Sequence, residues 1–158
     1  MRLHTEYSFD RDGTFAKIGK VDHIILENAI DFFISSNISK KKSFDILDFD
    51  FSFVRGLSLN DGAATLTEFT AEILSKNILG KNIYACGGGR KNKFLIKRIE
   101  KMLKNKVKLI DVLGIDGDFV ESQAFAYLAV RSYLELPISF PETTGCLKPC
   151  TGGEIIIY

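Results

Sequence analysis

Three consecutive glycines, Gly87 to Gly89, separate two segments of opposite character. Before them, Asn82–Cys86 is a short apolar run bounded by turn residues, which is typical of a buried strand. After them, residues 92–105 carry apolar side chains at helical spacing. A strand, a tight turn and a helix in direct succession form the unit from which α/β folds are built. The sequence therefore predicts an α/β fold around this unit.

Other segments predict further helices and short strands. The predicted helices cover Asp22–Phe33, a segment from Asn60 or Asp61 to about Leu79, and Phe119–Leu136; the predicted strands cover Val107–Ile110 and Glu154–Tyr158. We also expect a hairpin turn at Asp12-Gly13, because glycine tolerates positive φ. With 158 residues, 46% of them hydrophobic, the chain can bury one sizeable core. We predict a single domain, residues 1–158, with a mixed sheet flanked by helices.

Charge and cysteine content argue against several classes of protein. The 21 basic and 20 acidic residues give a net charge of +1, so no broad basic field favours nucleic acid or a membrane surface as partner. No signal peptide or 18-residue apolar run occurs, and we expect a cytoplasmic protein. Cys86, Cys146 and Cys150 are too few for a disulfide framework or a complete zinc site, so we expect reduced thiols and no bound metal.

The glycine run itself has two interpretations. Without β-carbons, the backbone allows a ligand to approach closely, and the start of the next helix presents free N–H groups and a positive dipole end. Close packing of the strand against the helix would require glycine equally well. The P-loop pattern is absent, and the dinucleotide-binding pattern fails because Asn92 stands at its third glycine. From the run alone, nucleotide binding and packing both remain open.

Two further segments carry polar residues that could contact a ligand. In Gly114–Ala126 an acidic turn leads into a helix with Glu121 in its first turn, and in Asp61–Ala71 Thr65 lies near a helix start. Both residues also have a structural explanation, because a carboxylate suits the helix dipole and a hydroxyl can cap the helix. Neither histidine lies in a recognisable triad and no serine elbow occurs, so the sequence names no catalytic residue.

Taken in order, five segments resemble one protein family. They are FDRDGTFAKIGKVD at 9–22, DGAATLTEFTA at 61–71, IYACGGGRKNKFL at 83–95, GIDGDFVESQAFAYLA at 114–129 and TTGCLKPCTGGEIIIY at 143–158. Over nearly the whole chain they resemble the C-terminal lobe of the anhydro-N-acetylmuramic acid kinase family. The resemblance implies one lobe of an actin-like (ribonuclease H-like) ATPase fold, within the superfamily of hexokinase-like sugar kinases. It also implies that ATP and Mg²⁺ serve to open the anhydro ring of 1,6-anhydro-N-acetylmuramic acid and phosphorylate its 6-position.

The resemblance also implies roles for individual residues. Gly87–Gly89 would lie against the adenosine of ATP, with Arg90 and Asn92 beside them. Glu121 would face the cleft near the sugar, and Thr65 would lie on a helix that faces the site between the lobes. The joint order of the segments therefore favours the ligand interpretation of the glycine run over the packing interpretation.

Two features of the sequence depart from the family pattern. Family members carry a preceding lobe with the first phosphate-binding loop and the catalytic aspartate, and Met1 begins after both. Lys40–Phe49 keeps Lys42 and Ser43 of a family stretch but lacks its glycine and arginine. We therefore expect that the N-terminal catalytic lobe is absent and that the isolated chain has no appreciable kinase activity, since a general base and phosphate positioning would both be missing.

Three functional hypotheses follow from these expectations. The chain could work with a separately encoded N-terminal lobe, serve as a non-catalytic nucleotide-binding or interaction module, or be a degenerate remnant of the kinase. Each leaves an apolar interlobe surface to be covered, and such surfaces favour association, including a homodimer.

Overall fold

The computed structural model describes residues 6–36, 48–154 and 156. Within these ranges the helices are α1 (Thr14–Ile18), α2 (His23–Ser36), α3 (Leu59–Asn77), α4 (Lys93–Leu103), α5 (Val120–Tyr133) and α6 (Pro141–Thr144), and the strands are β1 (Ile83–Ala85) and β2 (Val107–Leu109). The predicted α/β class is confirmed. Helices predominate, and the sheet is small. Most of the Lys40–Phe49 stretch lies outside the described residues.

The Asp12-Gly13 turn is followed by a helix. Asp12 and Gly13 have φ of 54° and 68°, so the predicted turn conformation is present. The predicted hairpin is wrong, because α1 begins directly after the turn. The carboxylate of Asp10 accepts hydrogen bonds from the N–H groups of Phe15 at 2.9 Å and Ala16 at 3.0 Å. These contacts satisfy amides that a helix start leaves without a partner, and they stabilise a helix where a strand was expected.

The two following helices begin with polar caps. Asp22 accepts from the Ile25 N–H at 3.0 Å and so caps the start of α2, which lies within the predicted helix. At α3 the cap is Ser58, whose hydroxyl accepts from the Asp61 N–H at 3.1 Å. The predicted start at Asn60 or Asp61 is therefore slightly late.

The core lies between α2 and α3. Its buried apolar side chains are Leu26, Ala29, Ile30, Phe33, Phe69 and Ile73. The rings of Phe33 and Phe69 meet edge to face with centroids 6.0 Å apart, a favoured arrangement for aromatic pairs. α1 packs closely on the start of α3, where a β-carbon at Gly19 would lie 1.9 Å from the Asn60 carbonyl oxygen.

A carboxylate–guanidinium pair joins α4 to α3. Glu68 is 8% exposed. The Nε of Arg98 donates to its Oε2 at 2.6 Å, and Nη2 donates to Oε1. Two parallel donors give this pair a fixed geometry, so it sets the position of α4 on α3.

The sheet consists of two parallel strands joined through α4. Ile83 pairs with Val107 and Ala85 with Leu109. Glu154 and Ile156 are not in a strand, and the other three residues of the predicted terminal strand lie outside the described part of the chain. The carboxyl ends of parallel strands lie at one edge of a sheet, where α/β folds commonly bind ligands. The loops that follow β1 and β2 therefore start side by side at this edge.

Candidate functional site

The glycine turn, residues 87–89, directly follows β1. Gly87 has φ of 73° and ψ of −178°, a conformation that residues with a β-carbon rarely adopt. Its N–H donates to the Gly117 carbonyl at 2.8 Å. Gly88–Lys91 then form a short 3-10 turn that leads into α4. The first glycine is thus required by its backbone conformation.

Gly88 and Gly89 have no such requirement. Neither has a φ in the left-handed region, and a β-carbon at either would meet no atom of the described chain within 4 Å. Gly13 differs, because a β-carbon there would lie 2.5 Å from the Cβ of Phe94. Packing within the described residues therefore does not explain glycine at 88 and 89. They leave an exposed stretch of backbone that an external molecule can approach.

Arg90 connects the glycine turn to the acidic turn, residues 114–118. Its Nε donates to the Asp111 carboxylate at 3.1 Å, and its Nη1 donates to Asp118 at 2.6 Å and to the Gly87 carbonyl at 3.0 Å. Its Nη2 donates to Asp111 at 3.3 Å. The side chain is only 6% exposed. The structure therefore brings Arg90 to the glycine turn and directs its donors towards other parts of the chain.

The charges in this cluster stabilise each other. The hydrogen bond from Arg90, followed by that from Lys91, lowers the pKa of Asp118 to about 2. Arg90 also lowers the pKa of Asp111, and the two carboxylates, Asp118 first, raise the pKa of Arg90. The cluster therefore stays ionised near neutral pH.

Gly117 lets the acidic turn approach Arg90. A β-carbon on this buried glycine would lie 2.4 Å from the Nε of Arg90. The acidic turn could be recognised in the sequence, whereas Asp111, the second carboxylate partner of Arg90, was not among the predicted site residues. One signal could have found it: Asp111 directly follows a predicted strand, and it would lie beside the loop after β1 if the two strands paired in parallel.

Asn92 caps α4. Its Oδ1 accepts from the N–H groups of Phe94 at 3.1 Å and Leu95 at 3.0 Å. The structure places this predicted nucleotide neighbour next to the glycine turn, with its carbonyl oxygen directed at the helix start. Its direct role is to end the turn and begin α4.

The two predicted substrate contacts lie in different environments. Glu121 is exposed in the first turn of α5, just beyond the acidic turn. Thr65 is 0% exposed; its hydroxyl donates to the Asp61 carbonyl at 2.8 Å and accepts from the Asp22 N–H at 3.0 Å. Glu121 therefore follows Asp118, a partner of Arg90, on the segment that leads from the acidic turn into α5. The structure places Thr65 in the helical core.

A separate cavity of about 710 Å³ lies at the start of α3. Its wall includes Phe9, Arg55, Leu57, Leu66 and Thr67. Thr67, and not Thr65, faces this space. No residue of the glycine turn contributes to the cavity wall, so the turn forms an open surface at a different place.

Residues 6–36, 48–154 and 156 contain neither a metal-binding cluster nor a helix that could span a membrane. No three His, Cys, Asp or Glu side chains there lie together as a metal ion would need. None of the helices in these ranges has both the length and the apolar character needed to cross a bilayer. The cysteines in these ranges are free, and burial, followed by the neighbouring Cys146, raises the pKa of Cys150.

The helix α5 has an uncovered apolar surface. None of its residues is buried. Phe125 is 65% exposed and Tyr133 is 70% exposed. Large exposed apolar patches commonly mark surfaces that contact another protein segment.

Comparison with known proteins identifies the family. A sequence profile described as anhydro-N-acetylmuramic acid kinase matches residues 1–158. The enzyme of that name from Pelagibacter ubique (strain HTCC1062) is 47% identical over 167 residues, which cover 99% of this chain and 44% of the relative. The enzyme of the same name from Zymomonas mobilis is 38% identical, and the match covers 98% of this chain and 44% of the relative. The one from Caulobacter vibrioides is 40% identical, and the match covers 94% of this chain and 41% of the relative.

The chain spans less than half the length of these relatives. It therefore corresponds to a part of the kinase sequence. Since the family profile matches all of residues 1–158, the chain belongs to the anhydro-N-acetylmuramic acid kinase family.

Proposed function

We propose that this chain forms the nucleotide-binding lobe of an actin-like sugar kinase that phosphorylates an anhydro amino sugar. The glycine turn is the proposed contact for the adenosine of ATP, and Glu121 is the proposed contact near the sugar. ATP supplies the γ-phosphoryl group when bound. Because ATP is a cytoplasmic metabolite, the proposal places the protein in the cytoplasm. In this proposal residues 1–158 act as one lobe.

One observation carries the proposal: Gly88 and Gly89 have open space where β-carbons would stand. Their backbone lies at the carboxyl end of β1 and just before the start of α4, where the positive end of the helix dipole favours a phosphorylated ligand. An extended planar base and its ribose could lie against this surface without displacing a side chain. The residues present therefore fit a nucleotide.

The described residues support a magnesium site less well than they support a nucleotide surface. A magnesium ion in a kinase is commonly held by one or two carboxylates together with substrate phosphates. Asp111 and Asp118 are already bonded to Arg90, and no metal-ligand cluster occurs in the ranges the structure describes. The proposal therefore assigns no magnesium ligand to this chain.

A valine at position 88 tests the nucleotide surface. Gly88→Val should weaken binding of a fluorescent ATP analogue by roughly tenfold or more, because a branched side chain would hold the adenosine away from the backbone. Gly80→Val is the matched control. A β-carbon there would meet only the Asn82 carbonyl, at 4.0 Å, and Gly80 lies before β1.

Circular dichroism and thermal melts of both variants report whether the fold is kept. Equal affinity of Gly88→Val and the unchanged chain would refute the glycine turn as the contact. Absence of ATP binding by the unchanged chain would refute the nucleotide-binding proposal for this chain on its own.

Kinase activity is tested by combining this chain with the part of the Pelagibacter relative that lies outside the match. We expect phosphorylation of the anhydro amino sugar in a coupled ATP assay of the mixture, and none with the chain alone. ATP binding without activity in the mixture would favour a non-catalytic nucleotide-binding module. Neither binding nor activity would favour a degenerate remnant.

The exposed side chains of α5 have a proposed role in assembly. The matched relatives have more than half of their length outside the match. We infer that this remaining part covers Phe125 and its exposed neighbours on α5, since burial of apolar area drives most protein association. A homodimer through the same face is the alternative outcome of the assembly experiment described below.

A further inference from the structure

Arg90 lies between two segments that the proposed site needs. Its guanidinium donates to the Gly87 carbonyl on one side and to the carboxylates of Asp111 and Asp118 on the other. A backbone hydrogen bond, from the Gly87 N–H to the Gly117 carbonyl, runs beside it. The glycine turn and the acidic turn are therefore joined by a buried side chain and by the main chain.

Few donors of Arg90 remain for a ligand. Its three nitrogens all donate to atoms of this chain, and Nη2 also lies 3.9 Å from Asp116. To contact Arg90, a nucleotide phosphate would have to displace Asp111 or Asp118. Displacing a carboxylate from a charge-assisted, bidentate contact is unfavourable. The contacts of Arg90 suit a link within the protein better than a ligand contact.

The acidic turn leads directly into α5, which carries Glu121 in its first turn. Whatever fixes the acidic turn against the glycine turn also fixes the start of α5. We propose that Arg90 is a positioning residue: it holds the nucleotide surface and the start of α5 in one relative geometry and does not itself contact ATP. The effect on ATP rests on the proposed function, whereas the link between the two turns does not.

The variant Asp118→Asn separates this role from direct contact, because the two predict opposite changes. Removing a negative charge near an anionic ligand should tighten ATP binding by electrostatics alone, and it would also leave Arg90 less firmly bonded at this position. If Arg90 positions the turn, replacing its charge-assisted bond to Asp118 with a weaker bond to a neutral amide should weaken ATP binding, by about threefold to tenfold. Asp31→Asn is the control, since it removes an exposed carboxylate on α2.

The variant Arg90→Lys gives a second test. Lysine keeps the charge but is a single point donor group, so it cannot reach the Gly87 carbonyl and both carboxylates as the planar fork does. A positioning role predicts that Arg90→Lys lowers ATP affinity by about tenfold, whereas a simple charge contact with a phosphate would be largely rescued by lysine.

Amide hydrogen exchange of Gly87 measures the link without ATP. We expect faster exchange of this amide in Asp118→Asn and Arg90→Lys than in the unchanged chain and in Asp31→Asn. Unchanged exchange, or ATP binding that is kept or tightened in Asp118→Asn, would overturn the positioning role. If the unchanged chain binds no ATP but exchange quickens in both variants, the link between the turns stands and the proposed function fails.

Discussion

Gly117 and Gly88 are close to the same site, but the space around them differs. A β-carbon at Gly117 would lie 2.4 Å from the Nε of Arg90, whereas at Gly88 it would meet nothing within 4 Å in the described chain. We expect Gly117→Ala to lower the free energy of unfolding by about 1–3 kcal/mol, because the added methyl group would displace the hydrogen-bonded side chain of Arg90. Gly88→Ala should leave it unchanged or slightly higher. Chemical denaturation of both variants measures the difference, and equal stability would contradict the close contact.

Asp118 should make stability depend on pH in the acid range. Its pKa is lowered from 3.8 to about 2 in the folded chain, so the unfolded chain binds more protons between these values. Its contribution to stability is therefore complete above 3.8 and is lost as the pH falls towards 2. In Asp118→Asn the melting temperature should fall less steeply across this window than in the unchanged chain. Parallel slopes would show that the Arg90 contact does not hold in solution.

At the residue scale, the sequence predicted which residues lie next to the glycine turn better than it predicted the contacts of their side chains. The sequence predicts Asn92 to lie beside the nucleotide. Its hydrogen bonds show that the side chain caps the start of α4, which the sequence did not predict. Thr65 lies on the expected helix, yet its rotation about that helix points it into the core. A linear pattern fixes which residues share a helix, whereas burial depends on what packs against each face.

At the scale of elements, the packing of α4 on α3 depends on the hydrogen-bonded pair Glu68–Arg98. We expect Glu68→Gln to lower the free energy of unfolding by about 1–3 kcal/mol, because Arg98 would lose its charged partner at a largely buried position. Glu72→Gln, one turn further along α3, is the matched control. Glu72 pairs with the half-exposed Lys76, and such exposed pairs contribute less than about 1 kcal/mol.

Urea unfolding followed by circular dichroism compares these two variants. A loss of similar size in both would mean that the pair does not fix α4 on α3, and that apolar packing alone holds the two helices together.

The helices α2, α3, α4 and α5 could be predicted from apolar spacing, because each is long enough to show several turns of the pattern. α1 could not, since five residues give little periodicity and it depends on the Asp10 carboxylate. The strands β1 and β2 could be predicted from their apolar runs. Their parallel pairing, and the hydrogen bond from Arg90 to Asp111, could be recognised only in the folded structure. Contacts between residues far apart in the chain leave no local signature.

For the whole molecule, the uncovered face of α5 predicts how the chain assembles. Alone, it should self-associate at increasing concentration, and Phe125→Ser should reduce this, because fewer apolar atoms would be exposed. Mixed with the remaining part of the Pelagibacter relative, it should form a one-to-one complex. Size-exclusion chromatography with light scattering distinguishes the two states. A stable dimer that persists in the mixture would favour a homodimer through α5.

The open surroundings of Gly88 and Gly89 also bear on how this gene changes over generations. Replacing a glycine whose conformation other residues can adopt commonly raises stability by about 0.4–1 kcal/mol, through a less flexible unfolded chain. Natural selection for folding alone would therefore favour side chains at these two positions. In a lineage that no longer uses the nucleotide surface, both glycines should be replaced sooner than Gly87 or Gly117. Sequencing this gene in many isolates of one population would show whether selection still retains them.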